Sequence, residues 1–275
     1  MPPQTDERRI LAIANQKGGV GKTTTAVNLA TALAAAGQNV LLIDLDPQGN
    51  ASTGLGLMRA DRRQGTYQLL TAGAHLAAVT RPTFVPNLFI VPSDPDLTGA
   101  EIELVTQARR EFRLHDALAA ADPAGHRRDF ILLDCPPSLG LLTLNGLTAA
   151  NGVLVPLQCE FFALEGISQL LHTIDLVRRS LNRQLSLQGI VLTMHDRRNN
   201  LSELVAADAR GFFGDQVYET VIPRNIRISE APSHGKPVLL YDYRSPGAQA
   251  YVRLATELLR RERRQTATAV EPVRA

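Results

Sequence analysis

The chain has 275 residues, with 29 Lys and Arg against 27 Asp and Glu, a net charge of +2 and a hydrophobic fraction of 44%. That length exceeds the usual single-domain mode but is common for one doubly wound α/β unit, and the apolar fraction is ordinary for a globular protein. No apolar run reaches the length of a bilayer span, MPPQTDERR is not a signal peptide, Cys135 and Cys159 do not make a disulfide scaffold, and +2 is too small to announce a nucleic-acid binder by itself.

Residues 1–7 are polar with two prolines and are expected to be a disordered tail. Residues 9–14 form a short apolar run read as a buried strand. Next comes Lys17-Gly18-Gly19-Val20-Gly21-Lys22-Thr23-Thr24, which holds two of only three lysines; the third is Lys236, and the other 26 basic residues are Arg. A Lys ammonium is a compact point charge on a flexible stem, whereas Arg is a planar fork. Thr23 to Ala36 carries apolar residues at helical spacing (Ala26, Leu29, Ala30, Leu33), with Gly37 as its C-cap. Strand, glycine loop and helix together are the context of a phosphate cradle. Loop N–H groups and the helix N-terminus hold the anion, Lys22 reaches the β- and γ-phosphates, and the Thr23 hydroxyl takes Mg2+. The pattern G-x-x-x-x-G-K-[ST] asks for glycine where this chain has Gln16. A ligand-free glycine turn would leave a Lys followed by three Thr at a helix start unexplained.

A second strand is expected at 39–44. Asp44 and Asp46 then lie at a strand's C-terminal end, where ligands of open α/β sheets bind, and alternation puts both on one side. Such aspartates either serve a metal shell or cap the following turn; for Asp44 both readings stand, while the Pro-Gln-Gly after Asp46 favours the first for that residue. Further strands are expected at 87–91 and 129–134, with a loop and amphipathic helix over Ser93–Glu103 between them. Asp134 ends the 129–134 strand before Pro136-Pro137, placed to orient Mg2+ directly or through water. Strands at 152–156, 188–193 and 217–221 follow. Gly247–Arg264 reads as the last helix, with Ala248, Tyr251, Val252, Ala255, Leu258 and Leu259 on one stripe. The tail 265–275 has little to bury and is expected to be disordered. The alternation predicts one α/β domain over 8–264 with a mostly parallel twisted sheet and helices on both faces, and the glycine loop after its first strand makes that domain P-loop NTPase-like.

The loop resembles the deviant P-loop K-G-G-x-G-K-[ST] of the ParA/MinD/nitrogenase-iron-protein group. Val40 to Asn50 resembles the switch I segment of the ParA/Soj branch, Phe130 to Ser138 its Walker B and switch II, and Pro223 to Pro232 with Gly235-Lys236-Pro237 its late segment. The matches are ordered and run from about residue 9 to 260. The resemblance implies an ATPase using ATP and Mg2+, in which Lys17 crosses a homodimer interface to the other subunit's phosphates. It implies that Asp46 positions the attacking water, with the metal reached through water, and that Asp134 is the Walker B acid. It places Pro223 and Asn225 near the adenine. It further implies non-specific double-stranded DNA binding by the ATP dimer, through residues aligning with Arg198 and Arg227, with Lys236 and Arg244 as weaker candidates and Arg253 behind them. The partner would be ParB-like and the location cytoplasmic and nucleoid-associated.

The residues weigh on these implications. From His195 to Arg264 there are 12 Lys and Arg against nine Asp and Glu, and Arg197, Arg198, Arg224 and Arg227 stand in polar loops suited to phosphate. An interface metal cluster of the nitrogenase type is disfavoured, because Cys135 follows Asp134 directly, where a cluster ligand would crowd the nucleotide. A MinD-type membrane helix is disfavoured too: Arg260-Arg261-Glu262-Arg263-Arg264 is followed by Gln-Thr-Ala-Thr-Ala-Val, without a bulky apolar face. That arginine run is either a DNA-facing tail or a solvated helix end. A P-loop metabolic ligase would need a second small-molecule pocket, for which no motif stands out. With about eight residues before the first strand, no operator-binding domain is expected.

Overall fold

Alternate residues of the central strands enter two different cores. Ile10 and Ala12 pack with Leu41, Ile43, Ile131 and Leu133 in one, while Leu11 and Ile13 pack with Leu42 and Leu132 in the other. Strands buried on both faces are what a parallel sheet covered by two helix layers requires. The computed structural model describes residues 8–120, 128–160 and 163–270, the side chains of 163–165 and 265–270 excepted.

The strands are β1 (Arg9–Ile13), β2 (Val40–Asp44), β3 (Arg81–Pro82), β4 (Leu88–Val91), β5 (Phe130–Asp134), β6 (Gly152–Gln158) and β7 (Ser186–Thr193). They form one sheet in the order β3-β4-β2-β5-β1-β6-β7, parallel throughout except for β3 against β4. The helices in chain order are α1 (Lys22–Ala35), α2 (Asn50–Gly54), α3 (Thr66–Thr71), α4 (Leu76–Val79), α5 (Leu97–Glu103), α6 (Arg113–Ala119), α7 (Leu141–Ala149), α8 (Ala163–Ser180), α9 (Asn200–Phe213), α10 (Ile226–Glu230), α11 (Val238–Tyr241) and α12 (Pro246–Val270). Leu69, Leu114, Leu142, Ile167 and Val205, from α3, α6, α7, α8 and α9, cover one sheet face. Leu29, Val238, Tyr251 and Leu258, from α1, α11 and α12, cover the other. Strands β2 and β5 lie on one side of β1 and β6 on its other side, so the crevice for a ligand opens at the C-terminal end of β1.

The α/β architecture is as the alternation predicts, with the glycine loop after β1 as in P-loop folds, and it differs in three details. Residues 217–221 are not a strand. Val217 makes one isolated bridge to Ile190, and the N–H groups of Glu219 and Thr220 donate instead to the buried Glu257 carboxylate of α12, each at 2.9 Å. Amides claimed by a side chain cannot join a ladder. The two-residue β3, an antiparallel edge, has no clear pattern in the sequence. The last helix continues through Val270, past the end expected at Arg264. Its arginine run is also partly tied down: Arg261 stacks 4.0 Å over the Tyr218 ring and donates to Glu257, Asp215 O and Val217 O, while Arg260 pairs with Glu219 at 3.4 Å. Residues 265–270 of the tail expected at 265–275 are therefore helical, while 271–275 and the tail expected at 1–7 lie outside the described residues.

Candidate active site

The loop after β1 is anchored before it is available to a ligand. Asn15 is buried; its Nδ2 donates to Pro156 O (2.8 Å) and its Oδ1 accepts the Lys17 N–H (3.0 Å). Val20 O accepts the Thr193 hydroxyl at 2.8 Å, fastening the loop to the end of β7. Gly21 sits at φ +90 and its carbonyl accepts Thr25 N (2.8 Å), the first bond of α1. A left-handed residue at a helix N-cap favours glycine. At Gly18 and Gly19 an added Cβ would meet nothing within 4 Å, so the crest of the loop is open.

The two loop lysines have different surroundings. Lys22 is buried and folds back so that its Nζ donates to Lys17 O at 2.9 Å. Burial lowers its pKa, opposed by the charges of Asp134, Cys135 and Asp46. Lys17 points the other way and pairs with Glu160 at 3.0 Å; both side chains are about half exposed. The second oxygen of Glu160 takes the Gln158 amide.

Three aspartates gather at the ends of β2 and β5. Asp44 and Asp134 are register partners on these adjacent strands. Asp44 accepts Ser52 N (2.9 Å), the Ser52 hydroxyl (2.7 Å) and Asp46 N (3.2 Å). It thus caps the following turn. Burial pushes it up to about 6, against the pull of those hydrogen bonds. Asp46 accepts Gln48 N through Oδ1 at 2.9 Å. Asp134 is the exception: both carboxylate oxygens are buried without a hydrogen-bond partner. Burial drives its carboxyl well above the usual range and Asp44 adds to this; the Thr23 hydroxyl, near but outside hydrogen-bond geometry, softens the shift, Asp46 raises it again and Lys22 opposes it.

These residues fit a nucleotide with Mg2+. Lys22 and the open loop offer a phosphate site, and the buried Asp134 carboxylate beside Thr23 has two oxygens that no protein group uses. Among the described residues no cluster of three or more His, Cys, Asp or Glu could hold a metal alone. Mg2+ suits such a place, since it keeps several waters and uses one or two protein oxygens plus substrate phosphates.

The residues expected near the adenine make contacts of their own within the fold. Asn225 caps α10 by accepting Arg227 N (3.0 Å), and Pro223 bridges His195, two residues past Thr193. A cleft of about 270 Å³ beside the start of α1 is lined by Thr23, Thr24, Asn50, Thr53, Pro232 and Lys236, among others. The His195–Pro223 bridge joins the segments that lead to Arg198 and Arg227; Arg198 stands in the loop before α9, but Arg227 lies on α10 and not in the polar loop expected of it, because the Asn225 side chain caps a helical turn there. Arg198 is exposed and forked onto Asp196 (3.0 and 2.9 Å), which lowers Asp196 to about 2. Arg227 pairs with Glu230 (2.9 Å) and Asp242 (3.4 Å). Lys236 and Arg244 are exposed. Glu160 carried no signal in the sequence, being a single acid after a strand; its role follows only from the fold.

Comparisons with known proteins find similar sequences and folds. A family model described as "AAA domain" matches residues 8–187. The chromosome partitioning protein ParA of Caulobacter vibrioides (strain NA1000 / CB15N) is 60% identical over 261 residues, 95% of this chain and 97% of that protein. The sporulation initiation inhibitor protein Soj of Bacillus subtilis (strain 168) is 54% identical over 250 residues, 91% and 98% respectively. A Mycobacterium smegmatis structure described as cobyrinic acid a,c-diamide synthase with bound ATP analog and magnesium has TM-score 0.80 and 39% identity, covering 94% of this chain and 96% of that one.

Proposed function

The chain belongs to the ParA/Soj family of chromosome-partitioning ATPases, and on that footing we propose that it is a nucleotide-switched partition ATPase. It binds ATP and Mg2+ at the loop 17–24, pairs with a second copy in the ATP state, binds double-stranded DNA without sequence preference as that dimer, and releases it on hydrolysis. A ParB-like protein is its partner, and the cytoplasm, on the nucleoid, its location. The observation that carries this reading is the buried, unpartnered Asp134 carboxylate beside Lys22 and Thr23.

Lys22, the loop N–H groups and Thr24 hold the phosphates. Thr23 and Asp134 would hold Mg2+, directly or through water, with Asp46 near enough in sequence to the end of β2 to assist. When bound, Mg2+ neutralises charge developing on the β- and γ-oxygens. Asp46 orients the attacking water, and Pro223 and Asn225 lie at the base. Lys17 leaves Glu160 and crosses to the other subunit's phosphates. Pairing doubles the basic set of Arg198 and Arg227, to which Lys236 and Arg244 add, so nucleotide state sets DNA affinity through avidity.

No helix among the described residues is long and apolar enough to cross a membrane. Co-sedimentation with DNA and with liposomes, each with ATP or ADP, tests the reading. Pelleting with DNA only in ATP supports it. Pelleting with liposomes would point to a MinD-like division-site ATPase. Pelleting with neither, and ATP consumed only with a carboxylic acid and an amide donor, would point to a ligase.

A further inference from the structure

Arg62 follows a short 3-10 turn (Arg59–Asp61) between α2 and α3, and it is 3% exposed. Every one of its five N–H donors is used, and none on a carboxylate. Nε donates to Leu57 O (3.1 Å); Nη1 to Gly49 O (3.0 Å) and Ser93 O (3.4 Å); Nη2 to the Thr53 hydroxyl (2.8 Å) and Leu57 O (2.5 Å). Gly49 stands at φ +63, and a Cβ there would lie 2.4 Å from Arg62 Nη1 and 2.8 Å from Ser93 O. The guanidinium fills the place a side chain would take.

The contacts encircle one segment. Gly49 N donates to Asp46 O at 2.8 Å and Gln48 N to Asp46 Oδ1 at 2.9 Å, so the turn bearing Asp46 closes at the residue Arg62 grips. Leu57, three residues beyond α2, is gripped by the same guanidinium. Ser93, just past β4, donates its N–H to the Ser52 hydroxyl (3.0 Å), which donates to Asp44 (2.7 Å). Burial disfavours the charge on Arg62, and the Asp44 and Asp94 charges favour it without forming an ion pair. A desolvated charge lacking a carboxylate partner is costly. Here all its bonds go to the segment from Gly49 to Leu57 and to the strand end beside it.

We infer that Arg62 is a positioning residue for hydrolysis: it locks residues 46–57 so that Asp46 stays aligned with the loop 17–24. This rests on the ATPase reading above. Arg62 acts through the backbone of this segment rather than on the reacting atoms.

Arg62→Lys keeps the charge and loses the planar fork, and Thr53→Val removes a single acceptor should the first variant fold poorly. In Arg62→Lys the amides of 49–57 should exchange with solvent about tenfold faster or more, while those of α1 do not change. Its kcat should fall by about tenfold or more, since small misplacements of a reacting group cost that much, with KM for ATP within about twofold. Thr53→Val should move both readings in the same direction by less. Millimolar guanidinium added to Arg62→Ala should restore part of kcat, which a global loss of structure would not allow. Unchanged exchange in 49–57 overturns the inference. So does an unchanged kcat in a variant of an active wild type. If the wild type turns over no ATP, the ATPase reading fails, and the exchange measurement still decides the lock.

Discussion

The Lys17 ammonium lies 3.0 Å from the Glu160 carboxylate of its own chain. The lysine proposed to serve a second subunit is therefore held at home, by an acid 143 residues away. Both side chains are about half exposed, so the pair is weak, worth about 0–1 kcal/mol. A weak latch suits a group that must change partners.

Lys17→Ala should bind ATP through Lys22 but fail to dimerise, since losing a buried charge-assisted contact to phosphate costs roughly 2–5 kcal/mol. Glu160→Gln should do the opposite and dimerise at protein concentrations lower by up to about thirtyfold, since a dimer frees two such pairs worth up to about 1 kcal/mol each. Light scattering with a slowly hydrolysed ATP analogue reads both. A Glu160→Gln protein that dimerises less readily would show that Glu160 supports the closed pair instead.

Asp46→Ala should bind ATP, dimerise and accumulate on DNA, because the ATP state no longer decays. Misplacing the attacking water should lower turnover by orders of magnitude. Phosphate release under saturating ATP measures this. Turnover at the wild-type rate would leave Asp46 only its observed bond to Gln48 N.

Arg198→Ala with Arg227→Ala should keep ATP-driven dimerisation and lose most DNA affinity, equally for all sequences, because phosphate contacts carry no sequence information. The slope of log affinity against log salt should become shallower by roughly one per contact removed, and by up to about four for a dimer. Since Asp196 holds the Arg198 fork, Asp196→Asn should tighten DNA binding. Filter binding across a salt series checks all three, and an unchanged double-variant slope would place the DNA surface elsewhere.

Glu257→Gln should destabilise the fold by about 1–3 kcal/mol, because two amides and Arg261 lose a charged acceptor. Burial pushes this carboxyl up, but the Thr220 and Glu219 amides and Arg261 hold it below its usual range. A depressed native value means stability present above the unfolded pKa of about 4.3 and lost as pH falls through the native one. Urea titrations should show the wild-type advantage above about pH 5, shrinking toward pH 3. An advantage constant across that range would contradict the assignment.

The sequence by itself determined what depends on neighbours along the chain. A phosphate loop is a run of glycines and lysines between a strand and a helix, and its parts stand within eight residues, so Lys17 to Thr24 could be read directly. Asp46 and Asp134 were legible because an apolar run ending in an acid marks the binding end of a strand, and most of the sheet was legible from the same runs. Tertiary structure alone decided what depends on residues far apart. Asp44 turned out to cap Ser52; Asp134 was left without a partner; Glu160 took Lys17; Glu257 drew 217–221 off the sheet edge; and Arg62 found acceptors at Gly49, Thr53, Leu57 and Ser93. The reason is physical. A buried charge or amide takes whichever partner the packed chain brings within about 3 Å, and sequence order does not encode that distance.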